Sequence, residues 1–224
     1  MLAASTFSFL RSLKKNNDKS WFDLHRPAYE SAKKDMILFV QSAIDAHAKN
    51  DDSISHLAAK DCLFRINRDV RFSKDKSPYK TNFGASINPD GRKAMTPGYY
   101  IHVEPGKSFV GGGLYMPAPA DLKAVRQEID YNLPAFKKIV ESKTFKNIYG
   151  GLSDDAEWKL SRVPQGFDKA SPAAPYLLYK SYVALQPLTD EVLTGKKAKN
   201  AVVDAFAALQ PLLEFLRTNL QPEE

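Results

Sequence analysis

The chain has a single cysteine, Cys62, among its 224 residues. One cysteine cannot form an internal disulfide, which suits a reducing compartment. No stretch approaches the roughly 20 consecutive apolar residues that a membrane-spanning helix needs. The first residues also lack the basic segment and the unbroken apolar run of a secretory signal. These absences predict a soluble, cytoplasmic protein without a membrane partner.

Several catalytic and cofactor motifs are missing as well. No Gly-x-Ser-x-Gly nucleophile motif occurs, and the run Gly111–Gly113 lacks the spacing and context of a P-loop or dinucleotide fingerprint. The chain has only four histidines, and the residues around them do not make up the ligand set of a metal site. We therefore expect no metal and no cofactor. A glycine run in a strand instead marks a bulge, a tight hairpin, or the close approach of another backbone or a ligand.

The composition favours one domain over residues 1–224. Hydrophobic residues make up 43% of the chain and aromatic residues 11%, enough to bury a sizeable core. No segment has the composition of a linker, and no low-complexity run or solenoid repeat is present.

The hydrophobic periodicity predicts an α+β fold. We expect a mainly antiparallel sheet of about 4–6 strands, packed with a long N-terminal helix and C-terminal helices. Glu104-Pro105-Gly106-Lys107 reads as a tight hairpin between two of these strands. The principal predicted helices cover residues 27–49, 121–131, 134–142 and 196–220, with a kink or a new helix at Pro211. The predicted strands cover residues 62–72, 82–88, 98–104, 108–116, 158–163 and 177–188.

Positive charge is concentrated in one part of the sequence. The formal net charge is +6 and the pI about 9.2. Residues 60–107 contain ten basic and five acidic side chains, so this fifth of the chain carries nearly all of the excess. Such a balance favours an anionic partner.

The first predicted strand places two kinds of side chain on opposite faces. The core face would carry Cys62, Phe64, Ile66, Val70 and Phe72. The polar face and the loop after it would bind a phosphate or carboxylate, because guanidinium groups bind these anions bidentately. The expected ligand-binding residues are Arg65, Asn67, Arg71, Lys76 and Lys80. The alternative is a solvated face with weak Arg–Asp ion pairs.

Arg68 differs from the other arginines because it would lie on the apolar face. We expect it to pair with Asp23 or Asp61, since an unpaired buried cation costs several kcal/mol. We expect His25, near the start of the long helix, to serve as a capping or packing group.

A second polar row lies on the predicted strand 98–104. Tyr100, His102 and Glu104 would share one face, with Tyr100 contacting the ligand. His102, Glu104 and Asp69 are the candidate catalytic residues, because His and carboxylate side chains transfer protons. The alternative is that the row has no chemical role.

Longer strings of the sequence resemble a known family. They are FLRSLKKNNDKSWFDLHRPAYE, FRINRDVRFSKDKSPYKTNFGA, GYYIHVEPGKSFVGGGLYMP and KSYVALQPLTDE. These strings resemble the family of uncharacterised proteins called domain of unknown function 2461, over nearly the whole chain. The resemblance implies a single full-length domain, and it implies no particular activity.

Three functions are therefore open. The first is binding of a small phosphate- or carboxylate-bearing ligand in a basic pocket on the sheet, with or without enzymatic turnover. The second is nucleic-acid binding, with bases stacked on Tyr79, Phe83, Tyr99 or Tyr100. The third is a structural or protein-interaction module that contains a buried Arg–Asp network.

Overall fold

The computed structural model describes residues 1–218 and 220. This part of the chain contains ten α-helices and four β-strands, which confirms the α+β fold class. The helices are α1 (Ala4–Lys15), α2 (Lys19–Leu24), α3 (Arg26–His47), α4 (Ala59–Cys62), α5 (Pro119–Tyr131), α6 (Leu133–Val140), α7 (Lys143–Tyr149), α8 (Ala174–Leu177), α9 (Asp190–Thr194) and α10 (Ala198–Arg217). The strands are β1 (Phe83–Ile87), β2 (Gly98–Val103), β3 (Ser108–Leu114) and β4 (Tyr182–Leu188).

The strands form one antiparallel sheet in the order β1-β2-β3-β4. In β2, Ile101 and Val103 are buried, whereas His102 lies half-buried on the opposite face, as the alternation predicted. The predicted hairpin joins β2 to β3. Its Lys107 N–H donates to the Glu104 carbonyl at 2.9 Å.

The glycine run in β3 lies where other backbone segments approach closely. A Cβ added to Gly112 would lie 2.1 Å from the Gly98 carbonyl oxygen, and one added to Gly113 would lie 2.0 Å from that of Tyr182. Both glycines also have positive φ angles, +153° and +129°. Of the alternatives for this run, the structure therefore shows the approach of other backbone segments.

The predicted strand over residues 62–72 is wrong. Helix α4 ends at Cys62, and residues 63–82 form an irregular hairpin, here called the arginine-rich hairpin. Among the described residues, its two arms are joined by one isolated bridge, between Asn67 and Tyr79, and Leu63 makes a second isolated bridge to Ala85 in β1. Pairing stops near Pro78, which has no N–H to donate.

The tip of the arginine-rich hairpin is held by local side-chain bonds instead of strand pairing. The Asp69 carboxylate accepts from the Arg71 N–H, and the Asp75 carboxylate accepts from the Ser77 N–H. Such bonds offer the backbone an alternative to a ladder. As a result, Phe72, which was predicted to be in the core, is 94% exposed.

The remaining helix and strand predictions differ mainly at their boundaries. Helix α3 begins with Pro27 in its first turn, as predicted for a helix opened by proline. The predicted strand over residues 158–163 is wrong, because Ala156–Trp158 is a 3-10 turn and Lys159 makes only an isolated bridge. Helix α10 continues through Pro211 as a single element, so no new helix begins there.

The chain divides into two compact units. Unit 1 comprises residues 1–92, 100–110 and 187–204; in its core α1 packs on α3, and α3 packs on β1. Unit 2 comprises residues 93–99, 111–186 and the described residues from 205 onward, and it buries Phe136 and Phe206. The single-domain organisation stays a prediction. Within the described chain, no helix is both long enough and apolar enough to cross a membrane.

Candidate functional site

The outer face of β2 carries a row of polar and aromatic side chains within unit 1. The Phe109 ring stacks on the His102 ring, with centroids 4.7 Å apart and an interplanar angle of 7°. The Tyr100 ring lies 5.8 Å from Phe109. Gly84 on β1 makes room for this row, since a Cβ there would lie 2.4 Å from the Tyr100 hydroxyl.

His102 and Glu104 form a close pair on this face. The His102 Nε2 atom lies 3.4 Å from a Glu104 carboxylate oxygen, and their side chains are only 15% and 17% exposed. Thr81 Oγ1 lies 3.5 Å from Glu104, and Lys14 Nζ lies 4.0 Å from it. Burial lowers the pKa of His102, and the Glu104 carboxylate opposes this only in part. The imidazole is therefore neutral at pH 7 and able to accept a proton.

Two cations lie against Phe64 at the base of the arginine-rich hairpin. The Lys80 ammonium lies 5.4 Å from the centre of the Phe64 ring, and the Arg92 guanidinium carbon lies 5.8 Å from it. The Tyr100 ring is 6.4 Å from the same ring, which links the group to the β2 face. Arg65 is close enough to Lys80 for its charge to lower the pKa of the amine, and we call the side chains of Arg65, Lys80 and Arg92 the cationic cluster.

The cationic cluster has no acidic partner. Among residues 1–218 and 220, no carboxylate oxygen lies within 4.0 Å of its charged nitrogen atoms. Within the described chain, the Arg92 side chain donates a hydrogen bond to the Leu63 carbonyl. Burial lowers the pKa of Lys80, and repulsion from Arg65 and Arg92 lowers it further. Lys80 is therefore close to both arginines, and none of the three cations has an ion-pair partner among the described residues, although Arg65 is near enough to Asp69 to help lower the pKa of that carboxylate.

Arg71 has a different environment from Arg65. Its guanidinium donates two hydrogen bonds to the Asp69 carboxylate, at 3.0 and 2.7 Å, and its side chain is 77% exposed. The Arg71 side chain also lowers the pKa of Asp69, which weakens this carboxylate as a base. The Lys76 ammonium donates to the Val70 carbonyl, and Asn67 is exposed.

Arg68 pairs with a different acid from those predicted. Its partner is Asp75, at the tip of the same hairpin, and not Asp23 or Asp61. Hydrogen bonds from Ser77 and then from Arg68 lower the pKa of Asp75 to about 2. The predicted partners lie outside the hairpin, whereas the irregular turn brings Asp75 within reach.

The structure brings together only part of the predicted site. Arg65 and Lys80 belong to one cluster, beside Tyr100, and His102 and Glu104 form a pair on the same face of β2. Arg71 and Asp69 instead satisfy each other at the hairpin tip. The roles proposed for all of these residues remain predictions.

The sequence patterns did not identify Arg92 as a candidate site residue. It follows β1 in a turn, 27 positions after Arg65, and no periodic pattern connects the two. The only available signal was its membership of the basic stretch over residues 60–107. Its position is set by the bond to Leu63 and by packing on Phe64, which are tertiary contacts.

His25 packs against a neighbouring ring, which is one of the two roles predicted for it. Its ring stacks on Trp21 with centroids 4.0 Å apart, and its Nδ1 atom lies 2.8 Å from the Trp21 carbonyl oxygen. Both rings border an open groove of about 360 Å³ beside α1. His25 makes no side-chain capping bond to α3.

No metal site is evident in the described part of the chain. Residues 1–218 and 220 contain no group of three or more His, Cys, Asp or Glu side chains that could hold a metal ion. The candidate site is therefore described by its cations, its aromatic rings and the His102–Glu104 pair.

The fold and the site define an α+β protein with a basic, aromatic region on one antiparallel sheet. The family model of domain of unknown function 2461, described as a conserved hypothetical protein, matches residues 5–215. The chain belongs to this family, as its sequence motifs indicated. The comparison with curated proteins found no match, and neither did the comparison with solved structures.

Proposed function

We propose that this protein binds a small anion that carries a phosphate or carboxylate group, through the cationic cluster. One observation carries the proposal: Lys80 and Arg92 lie over Phe64, Arg65 is close enough to Lys80 to lower its pKa, and none of the three has an ion-pair partner in the described chain. Elsewhere in the arginine-rich hairpin, Arg68 and Arg71 each have an aspartate partner.

Electrostatics explains why unpaired cations favour an anionic ligand. Like charges that are close together and partly removed from water repel one another, and this repulsion opposes folding. A bound phosphate or carboxylate would relieve the repulsion and accept charge-assisted hydrogen bonds from the two guanidinium groups. Phe64, which is 36% exposed, would supply an apolar surface beside the charged group.

The surroundings favour a small anion over a nucleic acid. Stacking of bases needs accessible rings, but Tyr79, Phe83 and Tyr99 are at most 6% exposed. Of the four predicted stacking residues, Tyr100 alone is half-buried instead of buried.

A buried ionic network is also disfavoured. The Arg71–Asp69 pair has side chains 77% and 46% exposed, and Asp75 in the other pair is 62% exposed. Surface pairs of this kind contribute only about 0 to 1 kcal/mol each. Stabilisation by these ion pairs therefore does not account for the number of charged side chains in this hairpin.

If the bound molecule is turned over, the His102–Glu104 pair is the candidate for proton transfer. The pair shares its face of β2 with Tyr100, which lies beside Phe64 of the cluster region. Asp69 is the weaker candidate because Arg71 lowers its pKa.

A thermal-shift screen at constant ionic strength tests the proposal. Phosphate, pyrophosphate and citrate would each be titrated against the wild type, the double variant Arg65→Ala/Arg92→Ala, and Arg71→Ala as the control. A specific ligand at 100 times its dissociation constant should stabilise the wild type by about 2.7 kcal/mol. We expect the stabilisation to persist in Arg71→Ala, whose guanidinium is already paired, and to disappear in the double variant.

Two results would count against small-anion binding. Equal stabilisation of the folded double variant would show that the anion binds elsewhere. Tight binding of single-stranded DNA or RNA that weakens steeply with salt would favour the nucleic-acid alternative. Circular dichroism of each variant establishes that it is folded before its binding is compared.

A further inference from the structure

Lys80 is the one primary amine in the cationic cluster. Its ammonium nitrogen lies over the Phe64 ring, near two guanidinium groups, on a half-buried side chain. No carboxylate oxygen within the described residues lies within 4.0 Å of it. An amine in such surroundings is held close to where an anion would bind.

The surroundings of Lys80 also change its chemistry. Burial and the two neighbouring guanidinium groups lower its pKa, so more of the amine is neutral than in an ordinary lysine. Lys19 and Lys159 show the opposite case, because hydrogen bonds to Asp23 and Asp154 raise their pKa values. A desolvated lysine beside other cations is a suitable nucleophile for carbonyl compounds.

We infer that Lys80 forms an imine with the carbonyl group of a small anionic aldehyde or keto acid whose phosphate or carboxylate is bound by Arg65 and Arg92. This inference rests on the proposed anion binding. The division of roles follows from side-chain chemistry: guanidinium groups remain charged and bind the anion, whereas the amine can lose its proton and react.

The reaction balances without an added oxidant or reductant. The neutral Lys80 nitrogen attacks the carbonyl carbon and forms a carbinolamine. The carbonyl oxygen then leaves as water, taking up the two hydrogens that the amine nitrogen loses, and a carbon–nitrogen double bond remains. Hydrolysis reverses both steps and regenerates the free lysine.

Pyridoxal 5′-phosphate is a suitable probe because it carries an aldehyde and a phosphate on one small molecule. The full chain would be incubated with a limiting amount, the imine reduced with sodium borohydride, and the labelled lysines identified by peptide mass spectrometry. The internal control is Lys76, an exposed lysine of the same hairpin. We expect labelling of Lys80 to exceed that of Lys76 by about tenfold or more, as one charge-assisted hydrogen bond to the phosphate would give.

Three further comparisons make the test specific. Pyridoxal without the phosphate should label Lys80 about tenfold less, because it lacks the group that the arginines bind. Pyrophosphate should compete with labelling of Lys80 and not with that of Lys76. The variant Lys80→Arg should keep pyrophosphate binding, because its charge is retained, but should lose the adduct at this position.

The possible failures separate this inference from the proposed function. If pyrophosphate binds at Arg65 and Arg92 but Lys80 is labelled no more than Lys76, the imine is refuted and anion binding stands. If pyridoxal and its phosphate label Lys80 equally, the directing role of the arginines is refuted. If labelling is uniform and pyrophosphate does not bind, both proposals fail.

Discussion

Replacing Gly113 with alanine should destabilise the protein strongly, because two costs coincide at this position. The φ angle is +129°, a conformation that residues with a Cβ rarely adopt. The added Cβ would also lie 2.0 Å from the Tyr182 carbonyl oxygen and 2.8 Å from the Val183 Cα atom. Both of these are backbone atoms of the neighbouring strand, so a side-chain rotation cannot relieve the contact.

The size of the effect follows from adding the two costs. A strained backbone conformation costs about 1 to 3 kcal/mol, and forcing extra atoms into a packed region costs a further 1 to 3 kcal/mol. We therefore expect Gly113→Ala to lose about 4 kcal/mol of the free energy of unfolding. Urea denaturation followed by circular dichroism measures this loss, provided that the slope of the transition stays unchanged.

Two other glycines provide matched controls. Gly106 has a φ angle of +74°, but within the described chain an added Cβ would meet nothing nearby except its own neighbours. Gly106→Ala should therefore pay only the backbone cost and lose about 1 to 2 kcal/mol of the free energy of unfolding. Gly151 is also uncrowded and shows no positive φ angle, so Gly151→Ala should change stability by less than about 1 kcal/mol. If Gly113→Ala were as stable as Gly151→Ala, the close approach of the strands would be refuted.

Three further predictions concern titratable side chains. Burial lowers the pKa values of His47 and His102, so the unfolded chain binds more protons than the folded one below about pH 6.5. The free energy of unfolding should therefore decrease as the pH falls below about 6.5. It should decrease more in the wild type than in His102→Gln, which lacks one of these histidines. Parallel curves of the free energy of unfolding against pH for the two proteins would contradict this. Burial raises the pKa of Cys62 to about 11, so iodoacetamide at pH 8 should react about 100-fold more slowly with the native thiol than with the unfolded one. Similar rates in the two states would show an accessible thiolate. Lys80→Met should leave the free energy of unfolding unchanged or raise it by up to about 1 kcal/mol, since it removes repulsion from two guanidinium groups. A clear loss in the same urea assay would indicate that the Lys80 charge stabilises the fold.

The sheet could be predicted from local sequence because its signals are local. The alternation of Tyr100, Ile101, His102 and Val103 fixes both a strand and its faces. The pairing of His102 with Glu104 follows from the same period of two. The turn from Glu104 to Lys107 is likewise a property of its own residues.

The arginine-rich hairpin could not be predicted in the same way. The alternating pattern over residues 62–72 matches the burial of Cys62, at the end of α4, and of Ile66, but it fails at Phe64 and Phe72, which are exposed. The aspartates of the hairpin form local bonds that replace strand pairing beyond Asn67. Periodicity records the spacing of apolar residues and contains no information about this competition.

The candidate site was predicted in part for the same reason. Arg65 and Lys80 stand out because the basic residues are clustered in sequence. Arg92 joins them only through contacts with Leu63 and Phe64, which are distant in sequence. Arg71 leaves the group because Asp69, two residues before it, is a closer partner.

Nuclear magnetic resonance of the arginine side chains tests the proposed anion binding most directly. Pyrophosphate would be titrated into protein labelled with ¹⁵N at constant ionic strength, and each Nε–H signal would be assigned by its loss in an Arg→Lys variant. We predict that the signals of Arg65 and Arg92 shift together with one dissociation constant, whereas that of Arg71 does not move. Shifts of all three signals in proportion to their exposure, without saturation, would contradict binding at the cationic cluster.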